Sequence, residues 1–400
     1  MFPGSIDFCR GLSRWMVIGF GLAAGGQSIS TGGPSVRPAF QVDCPFPTSD
    51  KPQSKLWFAE DHWWALLPRA TGPSLWERTA TGWREHPKVA EVLRGVPGRA
   101  DVWYDADGVT AVAVADRQLA VVRLTGTGGS APTWQAEVLA RIPSPVSDII
   151  ETVTLSRDSR GRWWVAAPIQ GRVFTWNSRN GLDWSKPLPL VAGLHVDDLC
   201  LITRVPEGVA VVWSDQKGDA VKIRLHRDVS EEGDWELPVT VESGGKTADD
   251  HLHATLAADG RLWVATKNSV DQSDQPQLVL RVRGTEGQWR NFPYAPLTPN
   301  AAPSRPITVG TPDANLVLLG HVVYGPRGSK GNRIVFGRVD LRSPAVIAGA
   351  RVVIAPEDPA SQINDIAGPK APFPAGRPWM VLASDGEGRV YEADLNTGAP

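Results

Sequence analysis

The fold that the sequence predicts is all-β: seven four-stranded antiparallel sheets set around one axis, a seven-bladed β-propeller. Three observations carry it. Tryptophans recur in two series with one period, Trp83, Trp134, Trp184, Trp235 and Trp289 at intervals of 51, 50, 51 and 54, and Trp163, Trp213 and Trp263 at intervals of 50 and 50. The apolar runs between them are short, rich in Val, Leu, Ile and Trp, and bounded by Gly, Asp, Asn or Pro, the signature of strands joined by hairpins. Runs such as Val209 to Trp213 lack alternation, as strands do when both faces are covered. A chain that repeats itself at such a period builds its core by stacking its repeats, and closing them into a ring leaves few free sheet edges.

Taken in chain order, residues 1–30 come first. Arg10 and Arg14 precede the apolar run from Trp15 to Ala24, and Gly25, Gly26 and Ser28 follow, the order of a signal peptide. The run is about ten residues, short of the roughly 20 that span a bilayer. The protein is therefore expected to be secreted or periplasmic, with no membrane span, and residues 31–400 to form a single propeller domain. Repeats start near Lys55, Asp101, Asp148, Asp198, Asp250, Pro306 and Asp365. The last stops about three strands in, at Arg389 to Leu395, so the segment from Val36 to Val42 is expected to supply the missing outer strand and close the ring. A six-bladed ring, with the weak first or sixth unit as an insertion, is the alternative.

Composition limits the function. The 41 basic and 43 acidic side chains among 400 residues give a formal charge of −2, so no global field attracts nucleic acid or anionic membrane. Of the three cysteines, Cys9 falls in the signal segment, and Cys44 and Cys200 make neither a disulfide framework nor a metal spacing. Both are expected to be buried structural thiols on opposite sides of the ring. No phosphate loop and no nucleophile elbow is present.

The turns Ser178-Arg179-Asn180-Gly181-Leu182-Asp183-Trp184 and Ser230-Glu231-Glu232-Gly233-Asp234-Trp235 resemble degenerate Asp-box (BNR) hairpins of the sialidase superfamily. The stretch 249–307, with Asp249-Asp250-His251-Leu252, Asp259 to Lys267, Leu280 to Arg283 and Arg305-Pro306-Ile307, is similar to a group of secreted bacterial propellers of that superfamily whose chemistry is unassigned. The resemblance implies the propeller fold and carbohydrate as the ligand class. It does not imply sialidase activity, which rests on three arginines, a Tyr–Glu nucleophile pair and an Asp acid. Here Arg37-Pro38 and Arg305-Pro306 replace the expected arginine motif poorly, and only Tyr104 lies near the axis.

Propeller geometry gathers the starts of the first strands, Asp101, Asp148, Asp198, Asp250, Arg305 and Asp365, around the central channel. Carboxylates so gathered can share a proton or hold a hard cation such as Ca²⁺; otherwise they accept backbone N–H groups in turns. No cofactor is required, with Ca²⁺ as the alternative. The densest group is Asp249, Asp250 and His251 with Lys267, Arg283 and Arg305. In a functional reading His251 is a general acid or base, with Asp250 and Asp198 as its partners in catalysis. Lys267, Arg283, Arg305, Asp249, Asp148 and Tyr104 are then substrate contacts, the cations anchoring an anionic group such as a uronate. The bland reading is a charge network between blades. His195 to Asp198 repeats the motif in a loop, and Trp63, Trp64 and Trp103 are the aromatic residues left for sugar stacking. Two functions stay open: a glycoside hydrolase or polysaccharide lyase acting on an anionic glycan at the axial face, and a non-catalytic binding or scaffold propeller. A monomer is expected in either case.

Overall fold

The computed structural model describes residues 35–127, 133–313, 315–325, 331–343, 348–370 and 379–395; the expected signal peptide and Cys9 lie outside them. Seven antiparallel sheets surround one axis. Blade 1 runs from Leu56–Ala59 to Gly82–Glu85, blade 2 from Arg99–Asp105 to Trp134–Pro143, and blade 3 from Thr154–Arg157 to Leu188–Ala192. Blade 4 runs from Cys200–Val205 to Val239–Ser243, blade 5 from Leu252–Leu256 to Trp289–Pro296, and blade 6 from Ala302–Gly310 to Ala348–Pro356. Blade 7 has Asn364–Ala367, Met380–Ser384 and Arg389–Asp394. The weak first and sixth units are complete blades, which removes the six-bladed alternative.

In each blade the first strand is innermost and the fourth faces solvent. The second strand of blade 4, Gly208–Asp215, is buried at every residue but the last, whereas the fourth, Val239–Ser243, has no buried residue. That gradient explains why the inner runs read as continuous apolar stretches. The turn before Gly208 needs glycine, since φ is +152° and an added Cβ would lie 2.1 Å from the His226 carbonyl oxygen.

The tryptophan registers are contacts between blades. Trp64 of blade 1 meets Trp134 of blade 2 edge-on at 5.3 Å, and Trp164 of blade 3 meets Trp235 of blade 4 at 5.6 Å, geometries favoured by the ring quadrupole. The series Trp163, Trp213, Trp263 has one period but two directions: the first two pack against the preceding blade, Trp263 against the following one. In a strand one position decides the face.

Closure comes from the N-terminal segment, in two pieces. Phe40–Gln41 pairs antiparallel with Arg389 and Val390 as the fourth strand of blade 7. Ser35–Val36 pairs parallel with Ala355 and Pro356, adding a fifth strand to blade 6. The segment expected as one strand is therefore shared between two blades, broken at Arg37-Pro38, where proline ends the pairing. Residues 46–55 then cross from blade 7 to blade 1 over one end of the channel, pinned by the Thr48 N–H to Ser384 Oγ (3.0 Å) and the Ser49 hydroxyl to Asp365 Oδ2 (2.8 Å).

Cys200 is buried at the start of blade 4's first strand, and Cys44 lies beside the closure; both thiols are free. Cys44 is half-exposed, not buried as expected, because it follows the closing strand on the rim. No helix among the described residues is long and apolar enough to cross a membrane.

Candidate functional site

The first strands all begin at one end of the axis, called here the upper mouth, and end at the other. Midway, Asp101 ties the ring together. Its Oδ1 accepts the Ser54 N–H (2.8 Å), its Oδ2 accepts the Leu155 N–H (2.7 Å), and the Lys370 ammonium contacts Oδ2 while donating to the Leu155 carbonyl at 2.9 Å. Lys370 thus reaches from blade 7 to blades 2 and 3 and separates the two mouths.

The upper mouth collects a connected cluster. His251, in the loop entering blade 5, has Nδ1 at 2.7 Å from Asp249 Oδ1 and in contact with Asp250 Oδ1. Lys267 and the Ser269 hydroxyl donate to Asp249 Oδ2 at 2.7 and 3.0 Å. Lys51, from the crossing segment, donates to Asp250 Oδ2 at 2.7 Å and lies 3.4 Å from His251 Nε2. Ionised carboxylates only accept, so Nδ1 carries a hydrogen and Nε2 is the ring nitrogen that faces Lys51. Burial is the largest single influence on the Asp250 carboxylate and works against it, but hydrogen bonding to His251 and Asp249 and the charges of His251 and Lys51 together outweigh it and hold its pKa well below the usual range.

Two bulges complete the mouth. The first strand of blade 6 shifts register between Ser304 and Ile307, and that of blade 7 between Asn364 and Ile366. The bulged residues, Arg305 and Asp365, have φ of 52° and 38°, conformations that cost a non-glycine residue energy and need support from their surroundings. They pair with each other at 2.7 Å, and Arg305 Nε donates to the Tyr324 hydroxyl, which donates to Asn364 Oδ1 at 2.8 Å. Asp50 accepts from Arg99 at 2.5 Å, and burial raises its pKa, against the pull of Arg99 and Lys55. Lys55, wholly buried, is pushed down to about 8 by desolvation.

Four cations of this rim are paired, Lys51 with Asp250, Lys267 with Asp249, Arg305 with Asp365, and Arg99 with Asp50, while the buried Lys55 donates to Gln53 Oε1 (2.8 Å) and the Ala100 carbonyl (3.1 Å). The free space among Asp50, Lys51, His251, His253, Arg305 and Asp365 is about 10 Å³, room for one water. Asp249, Asp250 and His251 form the one grouping of three metal-ligand types found among the described residues, their ligand atoms within 4.8 Å of one another.

Of the residues singled out from sequence, Asp249, Asp250, His251 and Lys267 meet directly, and Arg305 lines the same mouth. Four do not join them. Asp198 accepts the N–H groups of His195 (2.7 Å) and Gln216 (3.1 Å), and Asp148 accepts that of Ile149, the turn role. Arg283 donates to Glu207 of blade 4 at 2.6 Å, between blades. Tyr104 stands near the end, not the start, of its strand and lines the lower mouth. Trp63 and Trp64 are blade packing, 4% and 0% exposed; Trp103 keeps an open face. His195 pairs loosely with Asp197 (3.5 Å) in an exposed loop. Lys51, Asp50 and Tyr324 escaped the sequence reading. The Asp50-Lys51-Pro52 tripeptide was their one local signal, and nothing in it reveals that it crosses the axis.

No protein-family model and no curated protein matches the chain. Solved structures do. A protein from Lactobacillus plantarum is 15% identical with a TM-score of 0.50, over 78% of this chain and 86% of that one. A polysaccharide lyase is 10% identical with a TM-score of 0.47, over 86% and 90%. The α-L-arabinanase of Penicillium chrysogenum, solved with arabinobiose, is 12% identical with a TM-score of 0.44, over 76% and 99%. Glycoside hydrolase and polysaccharide lyase propellers thus stand among the structural neighbours, and at these identities the likeness is one of fold.

Proposed function

We propose that the protein binds a carbohydrate at the upper mouth and hydrolyses it, His251 taking a proton from the water that attacks the anomeric carbon while the departing oxygen is protonated from solvent, outside the cytoplasm if residues 1–30 act as the export signal. The observation that carries the reading is the convergence of Asp249, Asp250, His251, Lys51 and Lys267, drawn from two distant parts of the chain into one hydrogen-bonded cluster. His251 is the proton-transfer group, its tautomer held by Asp249 and Asp250 so that Nε2 serves as the base. Asp249 and Asp250 both approach one nitrogen, so they cannot flank a glycosidic bond as the separated acid and base of a two-carboxylate hydrolase, whose groups stand roughly 5–9 Å apart.

Paired cations favour sugar hydroxyls over a ligand carboxylate. A hydroxyl donates to the Asp and accepts from the Lys of one pair without breaking it, whereas a uronate would have to displace Asp249 from Lys267 or Asp365 from Arg305. A Ca²⁺ ion at Asp249, Asp250 and His251 is the subordinate reading, because Lys267 and Lys51 already hold one oxygen of each carboxylate. The small free space at His251 favours a second reading, a propeller that binds a glycan end without breaking a bond.

The test is a glycan array, followed by reducing-end and unsaturated-product assays on hits with wild type, His251→Ala and Asp249→Asn; unsaturated product, which only a uronate gives, would overturn the preference for sugar hydroxyls. Loss of a general base is expected to lower turnover by about 10²–10⁴-fold while binding persists. Binding without turnover supports the second reading. Equal turnover in wild type and His251→Ala removes the residue from the mechanism.

A further inference from the structure

The lower mouth is built from different chemistry. There the ends of the first strands of blades 1, 2, 4 and 5 and the Pro369–Lys370 segment enclose a cleft of about 590 Å³. This is well within the size of small-ligand sites, which are apolar with a few placed polar groups. Phe58 of blade 1 and Trp103 and Tyr104 of blade 2, all half-buried, give it aromatic walls. Its floor is the Lys370–Asp101 tie.

Its charged groups are spoken for, with one exception. Lys370 is held by Asp101 and the Leu155 carbonyl, and Asp105 by the Trp103 indole N–H (3.0 Å) and Arg157 (2.8 Å). Arg204, near the end of blade 4's first strand, is half-buried in the cleft wall and has neither an acidic partner nor a hydrogen bond among the described residues. The Tyr104 hydroxyl also has no partner there, and burial raises its pKa, so it remains a donor. A guanidinium drawn partly out of water without a counter-charge is costly, and it recovers that cost only when an acceptor arrives from outside. Carboxylate is the fitting acceptor: one planar monoanion takes the bidentate fork of one arginine, whereas a phosphate dianion would also face the Asp105 carboxylate.

We infer that the lower mouth binds a small ring-bearing carboxylic acid, its carboxylate received by Arg204 and its ring laid against Trp103. The site is separate from the carbohydrate reading of the upper mouth and stands without it. Two sources share this chemistry, an aromatic acid and a uronic acid.

Titration of tryptophan emission and calorimetry with benzoate and with glucuronate, against benzamide and methyl glucoside as neutral counterparts, tests the site. One acid is expected to saturate the protein, with its neutral counterpart at least about tenfold weaker; benzoate alone marks an aromatic acid and glucuronate alone a uronic acid. Arg204→Met is expected to weaken the acid by at least about tenfold and to abolish its advantage over the neutral ring. Because Arg204 holds nothing in the fold, this variant is expected to unfold at the wild-type midpoint or above. Trp103→Ala weakens both acid and neutral ring, and Arg141→Met, on the exposed outer strand of blade 2, changes neither. Saturation by neither acid at millimolar concentration, or equal affinity in wild type and Arg204→Met, overturns the inference.

Discussion

Asp101 is the side chain whose replacement most directly tests the architecture. It is fully buried, and its two oxygens receive the Ser54 and Leu155 N–H groups and the Lys370 ammonium. Asp101→Asn keeps the volume but leaves one acceptor, so however the amide turns, its NH₂ faces a buried N–H. One orphaned buried donor costs about 1–3 kcal/mol, and losing the charge partner of Lys370 adds about 2 kcal/mol. That is less than a fully buried pair would lose, because Lys370 keeps the Leu155 carbonyl and some water. The expected loss is about 3–5 kcal/mol in equilibrium urea unfolding followed by tryptophan emission. Lys370→Met added to Asp101→Asn removes the stranded ammonium and is expected to recover about 1–2 kcal/mol, a non-additivity that only direct contact produces. An Asn variant within about 0.5 kcal/mol of wild type, the range of ordinary surface changes, would refute the assignment of Asp101 as the bolt between the mouths.

Three further outcomes are expected. Burial depresses His253 to about 3 and His321 to about 4 from 6.5. Between those values and 6.5 the unfolded chain binds protons that the fold does not, so stability is lost as pH falls below 6.5. The slope is about 1.4 kcal/mol per pH unit for each histidine, and His253→Gln, read by urea midpoints from pH 7 to 4.5, should flatten it by one proton. Arg283→Met, breaking the pair with Glu207, should cost about 3 kcal/mol of stability and leave glycan affinity on an array unchanged; a selective loss of affinity would return Arg283 to the site. Phe40→Ala removes the ring that lies 4.6 Å from Trp76 and 5.2 Å from Trp83 on the closing strand. For a half-buried phenylalanine it should cost about 2 kcal/mol and speed proteolysis of the N-terminal segment, and unchanged proteolysis would speak against closure there.

The fold was legible because a propeller repeats its chemistry along the chain. Tryptophans recur at one period through the first five blades, and the apolar runs recur through all seven, so the period, the seven starts and the closing segment could all be read from spacing. The site was half legible. Asp249, Asp250 and His251 are adjacent in sequence, and Lys267 faces them because its strand pairs with the one they enter; its N–H donates to the His251 carbonyl at 3.0 Å. Lys51 stands 199 residues from its partner Asp250, and no periodicity encodes a segment that crosses the axis once. The arginines failed for a different reason. A strand places alternate residues on opposite sides, and sequence does not tell a side facing a channel from one facing the next blade, so Arg283 was given to the site when it belongs to a blade contact. Tyr104 was misplaced because a strand's end and its start lie on opposite mouths only a few residues apart.

The two mouths divide the chemistry of binding between them. At the upper one, four cations are each paired with a carboxylate, so a charged ligand that takes one of them must first break a pair and gains little from the exchange, while a ligand that both donates and accepts can insert beside the pairs. Two bulges with strained backbone hold Arg305 and Asp365 in that mouth. That is a cost the rest of the blade must outweigh, and one hard to account for if the pair merely filled space, since an apolar pair would fill it without strain. At the lower one, a lone guanidinium lies among aromatic rings with no counter-charge of its own, an arrangement that favours a ring-bearing acid over its neutral counterpart. Net charge near zero concealed this: the sum over the chain says nothing of whether each charge has met its partner, and it is the partnering, read from the structure, that separates a hydroxyl-reading site from an acid-binding one.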